Sequence, residues 1–174
     1  MTATPVSAWS IEPGRYICLR TRSLYGRLIR LFTSSPFDHV VVVTGPDEIV
    51  QATVWGVRRG SLSQFAGNLA VCNAAEPMTA HQRAAVVTKV GSYAGDEYAW
   101  AGIVVIGLRK LGLRWAWLLK ASADRDAVFC SELAALGGGA AGLDWDCGEA
   151  SPALVTPAEM AARGPFMVLV SWAP

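Results

Sequence analysis

The chain has 174 residues, of which 52% are hydrophobic and 17% are charged. At roughly 100 to 200 residues per domain, this length and composition predict one folded domain over 1–174 and exclude an intrinsically disordered chain. Fifteen Lys and Arg against fourteen Asp and Glu leave a net charge of +1, so no overall field favours a nucleic-acid partner.

The cysteines and histidines argue against metal and disulfide chemistry. Four cysteines lie far apart with no C-x-x-C pair, which predicts thiols in a reducing compartment rather than a zinc site or a disulfide framework. The chain has two histidines, whereas a zinc hydrolase holds its metal with three protein ligands. We therefore expect no metal and no cofactor.

The sequence predicts neither a signal peptide nor a transmembrane helix. The N-terminus lacks a basic region followed by an apolar one, so it does not resemble a secretory signal. The most apolar stretch, 99–119, is interrupted by Arg109, Lys110 and Arg114, and charges in mid-bilayer are costly. We expect a protein that is cytoplasmic as synthesised; a phage-encoded origin or release by lysis would still bring it to a cell wall. Membrane contact through the 115–119 end is the less favoured alternative.

In chain order, strands come first, then helices, then a final strand. Residues 1–12 are expected to be irregular. Composition and turn residues predict strands over 15–20, 39–44, 48–54, 56–59, 68–74 and 166–172. Helical spacing predicts helices from a Ser23 cap through 32, over 79–93 and 99–108, over 130–136 up to the triple glycine 137–139, and from Thr156-Pro157. This order is typical of an α+β fold with a mostly antiparallel sheet packed against helices.

His39 opens a run of four valines that is followed by the turn sequence Gly-Pro-Asp, so 39–54 is predicted to form a hairpin. Gln51 comes twelve residues after His39, which places it close to opposite the histidine on the returning strand. A side-chain amide there would orient the imidazole without supplying charge and would leave the other ring nitrogen for a thiol. A lone histidine at a strand end is more often structural, so the hairpin alone leaves both interpretations open.

Cys130 is the candidate nucleophile. Cysteine reacts as a thiolate, which the positive end of a helix dipole and a nearby imidazolium both stabilise. The sequence AVFCSELAAL predicts Cys130 at the start of a helix, where unpaired backbone N–H groups can bind an oxyanion. Free cysteine is usually a small buried hydrophobe, so the residue alone does not decide between the two roles.

Several motifs occur in an order that resembles a known family. They are IEPGRYICL, HVVVVTG followed by IVQA, GSYAGDEYAWAGI, VFCSELAAL and LVTPAEM. This order resembles the permuted papain-like cysteine hydrolases, the YaeF and YiiX amidase group, which are circular relatives of the NlpC-type cell-wall peptidases. In NlpC-type enzymes the cysteine precedes the histidine and its polar partner, whereas in the permuted group it follows them, as Cys130 follows His39 here.

The resemblance implies a circularly permuted papain-like fold and a thiol hydrolase whose triad is Cys130, His39 and Gln51. Such an amidase or peptidase cleaves a peptide or acyl-amide bond through an acyl-enzyme intermediate, and cell-wall peptides are among the substrates implied. Two positions depart from the group. Arg15 stands where an aspartate is usual, and Val41 replaces the glycine after the histidine, where its bulk would narrow a pocket, so the substrate preference does not carry over.

Further contacts and other functions complete the sequence predictions. Tyr16 and Tyr25 are candidate oxyanion or substrate contacts, and Trp55 and Ser131 are candidate substrate-binding residues, although a tyrosine more often packs its ring and leaves its hydroxyl in water. One alternative is a lipid acyl hydrolase or acyltransferase of the same fold, because relatives of lecithin:retinol acyltransferase share the permuted order. Another is a non-catalytic binding module that retains the fold. The expected partner is a peptide, acyl-amide or lipid substrate.

Overall fold

The structure, a computed structural model, describes residues 5–33, 35–98, 127–149 and 151–173. In these residues the fold is α+β, with a seven-stranded mixed sheet, a separate two-stranded sheet and four α-helices. The strands are β1 Val6–Ser7, β2 Tyr16–Arg20, β3 His39–Gly45, β4 Glu48–Thr53, β5 Gly56–Ser61, β6 Leu69–Cys72, β7 Glu97–Tyr98, β8 Ala127–Val128 and β9 Val168–Ser171. The helices are α1 Leu24–Thr33, α2 Ala80–Ser92, α3 Cys130–Ala140 and α4 Pro157–Ala161. The helix predicted over 99–108 lies outside the described residues.

The large sheet has the strand order β1-β9-β6-β2-β3-β4-β5. Its neighbouring strands are antiparallel except β1 and β9, which are parallel, and β7 and β8 form a separate parallel pair. Segment 1–12, which we expected to be irregular, contributes β1. The sheet therefore joins the two ends of the described chain at one edge and carries β3, β4 and β5 at the other.

The β3–β4 hairpin forms where the sequence predicts it. Asp47 occupies the turn with a φ of 54°, a left-handed conformation that aspartate tolerates better than most residues. The register pairs Val42 with Val50 and Val43 with Ile49, and it shifts between Val43 and Gly45. Both strands are buried through most of their length, which explains the continuous apolar run in place of an alternating one.

Two apolar clusters cover the two faces of the sheet. Successive side chains of a strand point to opposite faces, so Val40 and Val42 pack in one cluster and Val41 and Val43 in the other. The larger cluster includes side chains of α2, α3 and α4. The smaller one is closed by Ala8, Ile11 and the 3-10 turn Leu62–Phe65. Among the described elements, α2, α3 and α4 approach β3 and β4 from one face, and α3 brings its first residue there.

Helix α3 corrects the sequence prediction at its C-terminal end. We expected the triple glycine to stop this helix, but α3 continues through it to Ala140. A Cβ at Gly137 would lie 2.8 Å from Val90 Cγ1, and one at Gly138 would lie 2.5 Å from ring atoms of Trp145. The glycines let α3 approach α2 and the Trp145 ring closely, and this packing outweighs their poor helix propensity.

Within the described ranges, no helix is long and apolar enough to cross a membrane.

Candidate active site

His39 and Gln51 form a direct side-chain hydrogen bond. His39 Nε2 donates to Gln51 Oε1 at 2.9 Å. Because Val42 pairs with Val50, Gln51 lies diagonally across from His39, two residues away from the position directly opposite. The amide oxygen therefore holds Nε2 in its protonated form and leaves Nδ1 as the ring nitrogen that can exchange a proton with another group.

Phe65 and Gly60 surround this pair, and the sequence analysis missed both. The Phe65 ring lies 5.8 Å from the His39 ring, centroid to centroid, at an angle of 48°. Gly60 on β5 borders the Gln51 amide so closely that a Cβ there would lie 3.1 Å from Gln51 Nε2. Gly60 lies just past the strand predicted over 56–59, where a glycine is ordinarily a turn residue, so the sequence held no signal that identified it.

Cys130 is the first residue of α3, and its thiol acts on the His39 ring, whose pKa it raises. Its side chain is buried with Val40, Val42 and Leu133, and only 6% of the residue is exposed. The first hydrogen bond of the helix runs from Leu133 N to Phe129 O at 2.9 Å, so the backbone N–H groups of the first turn have no partner within the helix. A negative charge beside Cys130 would therefore meet the positive end of the helix dipole.

The pKa of His39 is raised above its ordinary value. Burial acts in the opposite direction, because it disfavours the charged ring, but other interactions outweigh it. These interactions are with the Cys130 thiol, with the hydrogen-bonded Gln51 and with the charge of Asp38. The site therefore favours an imidazolium, which is the form that pairs with a thiolate.

Asp38 ties the site to α1, and the sequence analysis did not single it out. Its carboxylate accepts hydrogen bonds from Thr21 N at 2.9 Å and from Thr21 Oγ1 at 2.6 Å, and it forms an ion pair with Arg30. Asp38 is 3% exposed, so both oxygens are used inside the protein. The residue directly before His39 is thus fixed by Thr21, which precedes α1, and by Arg30 in the last turn of α1.

Besides Asp38, the site has a second acidic residue, Glu132, close to Cys130. The sequence did not point to it. It lies in the first turn of α3, where its Oε2 accepts a hydrogen bond from Phe129 N at 3.3 Å. Burial raises the pKa of Glu132 to about 7, although that backbone hydrogen bond lowers it. Its charge near Cys130 consequently changes across the neutral pH range.

The other three cysteines differ from Cys130 in their surroundings. Cys18 and Cys72 are 0% exposed, and burial raises the pKa of Cys18 well above its ordinary value and that of Cys72 to about 12. Cys147 is half-buried, its Sγ donates to Trp145 O at 3.6 Å, and burial raises its pKa to about 11. These three thiols are therefore poorly ionised at neutral pH.

Tyr16 and Ser131 have their hydroxyl groups engaged inside the protein. Tyr16 is 0% exposed and its hydroxyl donates to Met160 O at 3.1 Å, while burial raises its pKa. Ser131 is also 0% exposed, and its hydroxyl donates to Val155 O at 2.7 Å. This bond fastens the first turn of α3, so Ser131 supports the position of Cys130 without a free hydroxyl for a substrate.

Tyr25 and Trp55 lie on the surface. Tyr25 is 62% exposed on α1, and Trp55 is 76% exposed between β4 and β5. Val41 is 0% exposed in the smaller apolar cluster, so its bulk fills the interior and does not narrow an open pocket. Arg15 is buried and donates to Asn73 O at 3.1 Å and to Glu76 O, so it joins β2 to the loop after β6.

The described residues show no metal-binding group, and a depression on their surface has no cysteine in its lining. No group of three or more His, Cys, Asp or Glu side chains among the residues that the structure describes is arranged to hold a metal ion. This shallow depression of about 490 Å³ on α2 is lined by His81, Lys89 and small side chains, with no cysteine among them. The group Cys130, His39 and Gln51 is therefore the candidate active site.

Comparison of the chain with protein-family models and with curated proteins finds no match.

Proposed function

We propose that the protein is a cysteine hydrolase with the triad Cys130, His39 and Gln51, related to the permuted papain-like group. The observation that carries the proposal is the His39–Gln51 hydrogen bond together with the effect of Cys130, at the start of α3, on the same ring. The chain order, with histidine and amide before cysteine, agrees with the resemblance described above. The substrate is an amide, of a peptide or an acyl amide, with cell-wall peptides as one source.

The proposed reaction begins with proton transfer from the Cys130 thiol to His39 Nδ1, which forms a thiolate and an imidazolium. The thiolate attacks the carbonyl carbon, and backbone N–H groups of the first turn of α3 stabilise the oxyanion. The imidazolium then protonates the leaving amine as the C–N bond breaks, which yields an acyl-enzyme. His39 next removes a proton from water, the hydroxide attacks the thioester, and the thiol is regenerated.

The electrostatics of the site support this mechanism. The raised pKa of His39 extends the imidazolium to higher pH, and the helix dipole favours the thiolate beside it. Gln51 adds orientation but no charge. The nearby charge comes from Asp38, whose carboxylate is shared with Arg30.

A lipid acyl hydrolase or acyltransferase is the second candidate. The observation in its favour is the set of exposed leucines on α1. Asp38, which directly precedes His39, forms an ion pair with Arg30 of this helix. The same triad would attack an ester as readily as an amide, because the chemistry requires only an activated carbonyl and a leaving group that His39 can protonate.

Thiol labelling tests the catalytic proposal. Iodoacetamide is added to the native protein across a pH series, and the modified cysteines are identified by peptide mass mapping. At about pH 7 we expect Cys130 to react at least about tenfold faster than Cys147, whose thiol is poorly ionised there. His39→Ala should remove this difference, whereas His81→Ala, on the exposed side of α2, should preserve it.

Turnover gives the second test. Hydrolysis of an activated short-chain ester should be accompanied by an acyl adduct on Cys130 that mass spectrometry detects after acid quenching. Cys130→Ala should form no adduct and show no turnover, whereas Cys147→Ala should behave as the wild type. Equal labelling of all accessible cysteines, with no adduct on Cys130, would mean that the fold serves a non-catalytic binding module.

A further inference from the structure

Helix α1 turns its apolar side to solvent. Leu24 and Leu31 are each 74% exposed, Tyr25 is 62% exposed and Leu28 is 52% exposed. The described part of the chain exposes eight large hydrophobic side chains, and these four belong to one helix of ten residues. Positions 24, 28 and 31 fall along one side of a helix, so the three leucines form one apolar stripe.

The side of α1 that faces the protein makes polar contacts, and it also carries the half-buried Ile29. Gly26 is buried, and a Cβ placed there would collide with the carboxylate of Asp38 and the hydroxyl of Thr21. Arg30 forms its ion pair with Asp38 and donates to Thr21 O at 2.9 Å. An ordinary surface helix buries its apolar stripe and exposes its polar side. Helix α1 has the opposite orientation, and its inward contacts hold it there.

The charged residues near the leucine stripe in the sequence are all basic. Between residues 13 and 37 the sequence has five arginines and no acidic residue. Arg20, Arg22 and Arg27 are exposed, and the first acidic residue that follows, Asp38, is buried and paired with Arg30. A partner for this surface must therefore accept leucine side chains and carry negative charge beside them.

We propose that α1 is an interfacial helix by which the protein docks on an anionic lipid bilayer. Such helices place an apolar side among the acyl chains and arginines against the anionic headgroups, which matches the stripe and the charge of α1. A second copy of this chain fits less well, because it would bring an equally basic surface. A stable dimer also buries about 1,200 to 2,000 Å², more than one short helical stripe supplies from two copies.

The docking surface adjoins the candidate active site. Asp38 connects Thr21 and Arg30 of the α1 region to the start of β3, and the next residue is His39. A bilayer bound to the outer side of α1 would hold the protein, and with it the Cys130–His39 pair, at a surface of acyl lipids. The substrate class that follows, an ester or amide of a membrane lipid, rests on the proposed hydrolase function, whereas the docking itself does not depend on Cys130.

Vesicle sedimentation of the full chain tests the docking. The vesicles contain phosphatidylcholine alone or with about one quarter phosphatidylglycerol, which supplies anionic headgroups. We expect the wild type to bind the anionic vesicles and the variant Leu28→Gln with Leu31→Gln to bind at least about tenfold more weakly. Leu169→Gln is the control, because this leucine is 44% exposed on β9, which β6 separates from β2, the strand that leads into α1.

Two arginine variants, one on α1 and one on β5, test how much charge contributes to vesicle binding. Arg27→Glu should weaken binding to anionic vesicles by about fivefold or more, whereas Arg58→Glu, an exposed arginine on β5, should change it by less than about twofold. Cys130→Ala should bind vesicles as the wild type does. If the enzyme acts on lipid, the α1 leucine variant should lose hydrolysis of lipid in vesicles and retain hydrolysis of a water-soluble ester.

Four results would overturn the docking proposal. The first is equal binding by the α1 leucine variant and its control, and the second is binding that does not depend on the anionic lipid. The third is a fall in the melting temperature of the α1 variant but not of the control, which would mean that the stripe packs inside the folded protein. The fourth is a dimer in solution that the α1 variant dissociates, which would make the stripe a subunit interface.

Discussion

Gly60 lies directly against the side-chain amide of Gln51. The two residues occupy neighbouring strands, and a Cβ on Gly60 would lie 3.1 Å from Gln51 Nε2 and 2.9 Å from Gln64 Nε2. The absence of a side chain at Gly60 thus gives Gln51 the space in which its oxygen meets His39. This relationship makes the orientation of the histidine depend on β5 as well as on the hairpin that carries it.

Gly60→Ala should therefore lower activity more than it lowers stability. The atoms in the way are the ends of two flexible side chains, so the protein can fold, but the Gln51 amide must shift away from His39. The Gln51 amide has to give by a few tenths of an ångström, less than the roughly 1 Å that can cost a hundredfold in rate, so we expect a loss of kcat of up to about tenfold. Gly139→Ala is the control, because a Cβ there meets nothing within 4 Å. Equal kcat in both variants would contradict the role of Gly60.

Gln51→Ala should reduce kcat by a similar factor while the melting temperature falls only slightly. Gln51→Glu keeps an acceptor for His39 Nε2 and adds a negative charge, which should raise the pKa of His39 further, by about one to three units. The alkaline limb of the pH–rate profile should therefore move to higher pH in Gln51→Glu. An unchanged limb in this variant would mean that Gln51 does not bind the catalytic ring in solution.

The stability of the protein should depend on Glu132 between about pH 4.5 and pH 7. Its folded-state pKa of about 7 lies above the ordinary value of 4.5, so the folded state favours the protonated form. This contribution is fully present below pH 4.5 and is lost as the pH rises through 7. Glu132→Gln keeps the acceptor for Phe129 N and stays neutral.

Denaturant titrations of the wild type and Glu132→Gln at several pH values measure this effect. Above pH 7 the variant should be the more stable protein, by roughly 1 to 3 kcal/mol in free energy of unfolding, and the two should converge near pH 4. A constant difference across the pH range would show that Glu132 does not titrate there.

Gly138→Ala should destabilise the protein in spite of alanine's better helix propensity. The added Cβ would lie 2.5 Å from ring atoms of the fully buried Trp145, so either α3 or the ring must move, at a cost of about 1 to 3 kcal/mol. Gly139→Ala, in the same helix with open space around it, should be neutral or stabilising by up to about 1 kcal/mol. Thermal unfolding of the two variants measures this contrast, and a stabilised Gly138→Ala would contradict the packing described for α3.

Local features of the sequence were sufficient for the elements that local chemistry controls. The β-branched run from His39, the Gly-Pro-Asp turn and the capping residue Thr156 correspond to a strand, a turn and a helix start in the structure. These residues act through their own backbone preferences and the hydrogen bonds of their nearest neighbours. The triple glycine in α3 shows the limit, because there the space between α3, α2 and Trp145 overrides the local preference.

The sequence by itself determined which residues share a strand or a helix face, and it brought Gln51 near His39, because a hairpin joins residues close in the chain. Only the tertiary structure decided which distant groups meet. The contact between Cys130 and His39, the cover of Phe65 over the ring and the space left by Gly60 all arise from packing between separate elements. The spacing of Leu24, Leu28 and Leu31 likewise predicts one apolar stripe but cannot give its direction. Buried contacts of Gly26 and Arg30 turn that stripe outward, because they fix the opposite side of α1 against Asp38.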